Sequence, residues 1–351
     1  MKGGTDKTRN WIISALVLLT ILALSAMAGC GKTQNQQSNQ AVSKIRVFYN
    51  PTWTGTFDLL LVADAKGFFK DEGLDVEWVN LSNDQYTAAL DSGKIDFAPG
   101  AGYTYFINAY NKGLNAKEVV VTSLPLNPGR GLIGEGTGLF VLKKSGIKEA
   151  KDLVGKKIAT TTISFQGSWF LGYWLHQHGV SLDQVNLVEI PLAQQIQVLR
   201  SGAVDALLTS GPVALNLLAS DDSVRLFDQA DLAGNRFITN LGTMVNGNFL
   251  KQHPEVVRKY VTAIAKAADW ANGHQAEVIQ IDINKGYITP DQVTGLYGPD
   301  LSKVRWAEHG LQVEDDIKFW LGLDEDQGLV PKGKIKVTDL YTNEFNPYYK
   351  P

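Results

Sequence analysis

Three short segments combine hydroxyls, glycines and aromatic rings in a way that suits holding a small molecule. They are residues 51–56 (PTWTGT), 99–105 (PGAGYTY) and 160–169 (TTTISFQGSW), and each precedes a predicted helix. Free N–H groups at a helix start face outward and favour negative charge. Hydroxyls and amides placed there can bind an anion without a full positive charge. Trp53, Tyr103, Phe165 and Trp169 offer apolar walls, and Thr54, Gly55, Thr56, Gly100, Ala101, Gly102, Ser164, Gln166 and Ser168 offer polar groups or close backbone approach. Pockets of this kind are mostly apolar with a few placed polar groups. The same residues have plainer uses: Thr56, Ser164 and Ser168 as helix caps, Trp53 and Trp169 as core. Asp58 already complements the first helix start, which complicates an anion site there. Arg130 and Arg236 fall near the two places where the chain is expected to pass between lobes. Each could meet an anionic ligand or form a surface pair.

Catalytic chemistry is not announced. No glycine-rich phosphate loop, His-Glu-x-x-His or Cys-x-x-Cys occurs, so no catalytic residue, metal site or cofactor is expected. Gly167-Ser168-Trp169 falls short of a nucleophile elbow. Of the five histidines, His176 and His178 sit near a predicted helix end, where a cation is favoured.

Cys30, the only cysteine, carries a different chemistry. Lys2, Lys7 and Arg9 precede a run from Trp11 to Ala28 without a charge, and the run closes on Met27-Ala28-Gly29-Cys30. That order reads as a bacterial lipoprotein signal, with residues 1–29 removed and Cys30 lipidated. An uncleaved membrane helix and an ordinary secretory signal with an incidental cysteine are the alternatives. Removal of residues 1–29 leaves 30 basic and 35 acidic side chains, a net charge of −5. No basic stripe suggests nucleic acid. Residues 30–43, rich in Gln and Asn, read as a flexible tether.

The elements that must position the three segments follow an α/β pattern from Ile45. Ile45 to Tyr49, Leu74 to Val79 and Ile95 to Ala98 read as strands, with helices over Phe57 to Lys66 and Asp84 to Leu90 between them. A similar unit recurs: residues 85–96 (QYTAALDSGKID) and 194–205 (QQIQVLRSGAVD) share Gln, Leu, Ser, Gly and Asp at the same relative places. Coincidence between ordinary helix-to-strand joints is one reading, and two similar lobes in one chain is the other. Crossings between lobes are expected near residues 129–138 and 235–245. That assigns 44–135 plus 242–351 to lobe I and 136–241 to lobe II. The expected class is α/β with two lobes, each a mostly parallel sheet flanked by helices. A hinged pair encloses a cleft, and ligands usually sit at the carboxyl ends of parallel strands. Pro254 to Asn272 reads as a helix with an apolar stripe at Val257, Val261, Ile264, Ala268 and Ala271. The aromatic-rich stretch after Thr289 is expected to wrap lobe I.

Residues 59–77 (LLLVADAKGFFKDEGLDVE), 92–98 (SGKIDFA), 145–147 (SGI), 151–159 (KDLVGKKIA), 253–255 (HPE) and 269–272 (DWAN) resemble, as a set, the substrate-binding lipoproteins of ABC importers. The similarity is to the nitrate/sulfonate/taurine group and its thiamine-pyrimidine relatives. It implies a type II, Venus-flytrap periplasmic-binding-protein fold. Partners implied are a small organic ligand (anionic or heteroaromatic), a permease with its ATPase, and a membrane reached through Cys30; the protein is expected to be an exported, anchored monomer. The resemblance implies ligand contacts at Trp53 to Thr56, Gly100 to Tyr103, Ser164 to Ser168, and Thr209 and Ser210. Ser210 and Gly211 stand where many members carry a Trp and an acidic residue, and the second-lobe loop lacks charge. Two alternatives stay open. A lipid-anchored sensor would use the same lobes, and synthases of the thiamine pyrimidine share the fold but resemble it with a cysteine-rich segment that is not found here.

Overall fold

The computed structural model describes residues 42–351 apart from 52, 54, 83–84, 125–136, 164–165, 233, 235–236 and 299, and the side chains of 166, 212 and 230. The leader, Cys30, the tether as far as residue 41, Thr54, Arg130, Ser164, Phe165 and Arg236 therefore lie outside the described residues, and Ser43, expected in the tether, is already strand.

Ile45, Val47 and Phe48 are fully buried, and Ser43–Tyr49 forms β1. It pairs in parallel with β2 (Leu74–Asn80) along its whole length, from Ser43↔Leu74 to Tyr49↔Asn80. Helix α1 (Asp58–Ala65) joins them and buries Leu59 to Ala63. Helix α2 (Tyr86–Asp91) leads to β3 (Phe97–Gly102) on the other flank of β1. Helix α3 (Tyr103–Asn111) and β4 (Ala116–Val121) follow. The sheet is completed from a distance: β10 (Leu241–Asn246) lies between β3 and β4, antiparallel to both, in the order β2-β1-β3-β10-β4.

The second sheet repeats this plan. Its strands are β5 (Gly138–Leu142), β6 (Lys157–Thr160), β7 (Asn186–Glu189), β8 (Ala206–Thr209) and β9 (Ser223–Asp228), in the order β7-β6-β8-β5-β9. Helices α4 (Gln166–Gln177), α5 (Leu192–Ser201) and α6 (Gly211–Leu218) connect them. β6 is parallel to β7 and β8, whereas β5 runs antiparallel between β8 and β9. The mixed character of both sheets has one cause: the fourth strand in each order enters from the direction of the other lobe.

The recurring sequence unit occupies equivalent places. α2 and α5 end at Gly93 and Gly202, both left-handed with φ of 70° and 76°, a conformation that glycine adopts without strain. Asp96 and Asp205 then do the same work. The Arg46 amide of β1 donates to Asp96 Oδ2 at 2.8 Å, and the Lys157 amide of β6 donates to Asp205 Oδ2 at 2.9 Å. Each carboxylate starts the pairing of the third strand onto the first. They differ in setting. Asp96 is buried and also takes the Arg46 guanidinium at 2.6 Å, while Asp205 is exposed and has Lys156 Nζ at 3.9 Å.

The C-terminal part goes further than expected. α7 (Pro254–Ala271) lays its predicted stripe into lobe I, with Val257, Val261, Ile264, Ala268 and Ala271 all fully buried. Beyond α8 (Gln275–Asn284), however, α9 (Val293–Tyr297) packs on α6 of lobe II, so closely that a methyl group on Gly295 would overlap Leu215. Helix α10 (Glu314–Asp326) bridges the lobes. Its Trp320 ring lies 5.3 Å from Phe170 of α4, and its Asp324 accepts from Asn108 Nδ2 of α3 at 3.1 Å. The segment wraps both lobes because its aromatic residues find apolar partners on each.

Two expectations about stability follow. Asp96→Ala removes a buried acceptor of a charged hydrogen bond and should cost about 2–3 kcal/mol, whereas Asp205→Ala, at an exposed site, should cost at most about 1 kcal/mol; urea unfolding of both compares them. Asp324 is pushed up to about 8 by burial. A carboxyl whose folded value lies above its unfolded value holds an extra proton in the native state, so stability falls as pH rises from about 4 to about 8. Asp324→Asn can keep an oxygen toward Asn108 and removes that proton uptake. Its melting temperature relative to the parent should therefore rise between pH 5 and pH 8, and a constant difference would contradict the assignment.

Candidate functional site

The carboxyl ends of β1 and β3, with the start of β10, make one edge of the lobe I sheet; those of β6 and β8, with the start of β5, make the matching edge of lobe II. All three segments singled out by composition lie on these edges.

In lobe I the segment after β1 is tied down from behind. The Tyr287 hydroxyl accepts from the Thr56 amide at 2.9 Å and the Phe57 amide at 3.0 Å, and donates to the Trp53 carbonyl. These are amides that a helix-start anion site would need, and they face the core instead. Tyr287 is buried among Tyr49 and Phe57, and burial together with Asp58 holds its hydroxyl well above the usual tyrosine value. Asp58 and Asp282 are both buried in this region; burial first and the Asp58 charge second push the Asp282 carboxyl up, and Tyr297 donates to Asp282 Oδ2 at 3.0 Å. The anion site expected at the start of α1 is therefore occupied by a tyrosine hydroxyl backed by carboxyl groups.

The second segment is strand, not loop. Pro99 to Gly102 belongs to β3 and pairs with β10. The register steps from Gly242↔Ala101 to Thr243↔Pro99, which leaves Gly100 as the bulge residue with φ of 78°. A bulge of this type takes glycine because the residue is left-handed. A methyl on Gly100 would overlap Thr56 and sit 3.5 Å from the Trp53 ring, so the two lobe I segments touch here. Ala101 is fully buried in the strand, and Gly102 caps α3. Tyr103 is placed otherwise than expected. Its ring is buried and its hydroxyl donates to Gln312 Oε1, so it serves the core rather than a cleft wall.

Two residues on, Tyr105 takes the outward place. The rings of Phe48 and Tyr86 stack 4.9 Å apart at 17°, those of Tyr86 and Tyr105 5.5 Å apart at 29°, and those of Tyr105 and Trp169 6.1 Å apart at 26°. The column runs from the core of lobe I to the first turns of α4 in lobe II. Trp53 meets Tyr86 edge-on at 5.7 Å, and Tyr105 is fixed by a 2.6 Å hydrogen bond with Thr87 Oγ1. Tyr86 and Tyr105 were not among the sequence candidates. The available signal was the helix period: Tyr103 and Tyr105 are about 200° apart on α3, so they cannot share a face.

In lobe II, Glu189 accepts from Thr162 Oγ1 at 3.0 Å and from the Ile163 amide at 2.8 Å, and the Ile163 bond, ahead of the Thr162 bond, lowers its carboxyl below the usual value. Thr209 donates to Gln195 Oε1 at 2.7 Å, and Gln195 Nε2 donates to the Ile190 carbonyl at 3.1 Å and Thr161 Oγ1 at 3.3 Å. Thr209 thus knits β8 to α5. Ser210 precedes α6 without a side-chain cap bond. Ser168 Oγ is buried and finds no hydrogen-bond partner among the described residues. Gly55 is buried at the turn before α1 with φ of 84°. Among the described residues no cluster of three or more His, Cys, Asp or Glu side chains could hold a metal, and no helix is long and apolar enough to cross a membrane.

A family profile described as NMT1/THI5 like matches residues 55–278. The chain belongs to that family. It is 27% identical over 76% of its length, and 76% of the relative's, to a Bacillus subtilis (strain 168) protein named for aliphatic sulfonate binding. It is also 27% identical to a 4-amino-5-hydroxymethyl-2-methylpyrimidine phosphate synthase of Aspergillus parasiticus, over 63% of this chain and 64% of that one. The periplasmic aliphatic sulphonate binding protein SsuA of Escherichia coli superimposes with a TM-score of 0.62 and 20% identity over 84% of this chain and 91% of its own. The fold is that of a periplasmic binding protein.

Tyr287→Phe keeps the ring and removes the hydroxyl, leaving two amides without this acceptor. It should cost about 1–3 kcal/mol in urea unfolding; an unchanged midpoint would show that the Thr56 and Phe57 amides do not depend on it.

Proposed function

We propose that this protein is the lipid-anchored solute-binding component of an ABC importer. It captures a small organic ligand between its lobes and delivers it to a permease and ATPase. The observation that carries this reading is the Tyr105–Trp169 contact. It supports the reading because it sets a residue near the candidate edge of one sheet against a residue near that of its topologically equivalent partner, as a closing cleft requires. Ligand held by both lobes favours the closed state over the open one, and that difference is the signal a permease can read. The Bacillus subtilis relative supports a sulfonate-like or other small organic solute. The basic, apolar and small-residue order before Cys30 supports export and lipidation.

A synthase-like activity is the competing reading, favoured by the identity to the Aspergillus parasiticus enzyme. The uptake reading is preferred because a lipid signal suits capture outside the membrane better than intracellular synthesis, and because Cys30 is the only cysteine. A cofactor absorbance band in the purified protein would favour the enzyme.

Two measurements test the proposal. Full-length protein screened against sulfonates, pyrimidines and aromatic acids should gain several degrees of melting temperature with one class, since a ligand at 100 times its Kd adds about 2.7 kcal/mol. Cys30→Ser should release cleaved protein from the membrane fraction or leave it unprocessed; cleaved protein that stays attached rules out the lipid.

A further inference from the structure

The residue that holds the Trp53–Phe57 segment of lobe I comes from a part of the chain that also touches lobe II. The Tyr287 hydroxyl takes the Thr56 amide at 2.9 Å and the Phe57 amide at 3.0 Å, and donates to the Trp53 carbonyl. The Tyr287 amide donates to the Asp282 carbonyl at 2.9 Å, near the end of α8. The Asp282 carboxyl accepts from the Tyr297 hydroxyl at 3.0 Å. Tyr297 is the last residue of α9, and two residues before it the backbone of Gly295 lies against Leu215 of α6 with no room for a methyl group. Helix α6 starts directly after Thr209 and Ser210. A continuous series of contacts thus leads from the candidate edge of lobe II to that of lobe I.

Each joint in the series is stiff. Tyr287, Tyr297 and Asp282 are buried. A buried hydrogen bond has no water to replace a lost partner, so its groups move together rather than part. The joint between α9 and α6 sets backbone against side chain, and close-packed contacts pass a displacement on instead of absorbing it. Gly295 lies inside a helix and its φ is not positive, so glycine is not needed there for its conformation. Glycine also weakens a helix relative to alanine. What it permits is the close approach to Leu215.

We infer that α9 is a strut that sets the Trp53–Phe57 segment of lobe I according to the position of α6 in lobe II, with Asp282, Tyr287 and Tyr297 as its positioning residues. A shift of lobe II is felt at the lobe I edge through these three residues, before any ligand bridges the two. The use of the strut rests on the solute-binding reading, since it readies one edge as the other approaches. The coupling itself is a property of the protein without ligand.

The test is amide hydrogen exchange in full-length protein in detergent, with no ligand added. Gly295→Ala pushes α9 off Leu215 and should speed exchange of the Thr56 and Phe57 amides about tenfold, because exchange reports local opening of each bond. Combining it with Leu215→Ala makes room for the methyl group and should return both amides to within about twofold of the parent. Leu215→Ala alone withdraws the contact from the other side and should speed the same two amides, which keeps the test open if Gly295→Ala does not fold. Tyr297→Phe cuts the link to Asp282, and in that background Gly295→Ala should add less than about twofold. The Arg46 amide, bound to Asp96 in the same lobe but outside the series, should keep its parental rate in every variant. Unchanged exchange at Thr56 and Phe57 in the folded variants overturns the inference and leaves solute capture in place. So does acceleration at Arg46 equal to that at Thr56 and Phe57, or an undiminished effect of Gly295→Ala in the Tyr297→Phe background.

Discussion

The backbone of β3 and β4 needs a strand between them, and the chain supplies it only after building a second lobe. Buried N–H and C=O groups cannot be left unpaired. β10 satisfies both neighbours, with Val245 opposite Phe97 on one side and Lys117 on the other. The same demand in lobe II is met by β5 between β8 and β9. Because each sheet is completed by a strand arriving from the direction of its neighbour, the chain must pass between the lobes twice. The position of the candidate edges, where strands end and helices begin, is thus a consequence of hydrogen-bond accounting in the sheet interiors.

Much of this was legible in the residues. The apolar stripe of Pro254–Ala271 is buried as its spacing required. The shared Gly and Asp of the recurring unit proved to be strand-starting devices, since Asp96 and Asp205 bind the amides of topologically equivalent strands. The arrival of β5 and β10 as antiparallel inserts was not legible. Neither strand's pattern differs from that of a parallel neighbour, and its direction is decided by connections made elsewhere in the chain.

The surroundings of the candidate residues were misread in detail. Loop composition located the edges, because glycines and hydroxyls must gather where strands turn into helices. It could not say which way each group faced. Pro99 to Gly102 reads as loop, yet a bulge at Gly100 lets it continue a strand. Tyr103 reads as a wall, yet helix geometry turns it to the core and brings Tyr105 outward. The amides before α1 read as free, yet they are bonded to Tyr287, more than two hundred residues away. Local sequence carries no trace of a partner so distant.

Helix α10 has a mechanical consequence. Trp320 touches Phe170 of lobe II, donates its indole N–H to the Thr239 carbonyl beside β10 at 2.6 Å, and shares a helix with Asp324, which is bonded to Asn108 of lobe I. A rod fastened to both halves and to the strand that links them makes any separation of the lobes strain either the Trp320–Phe170 contact or the Asn108–Asp324 bond.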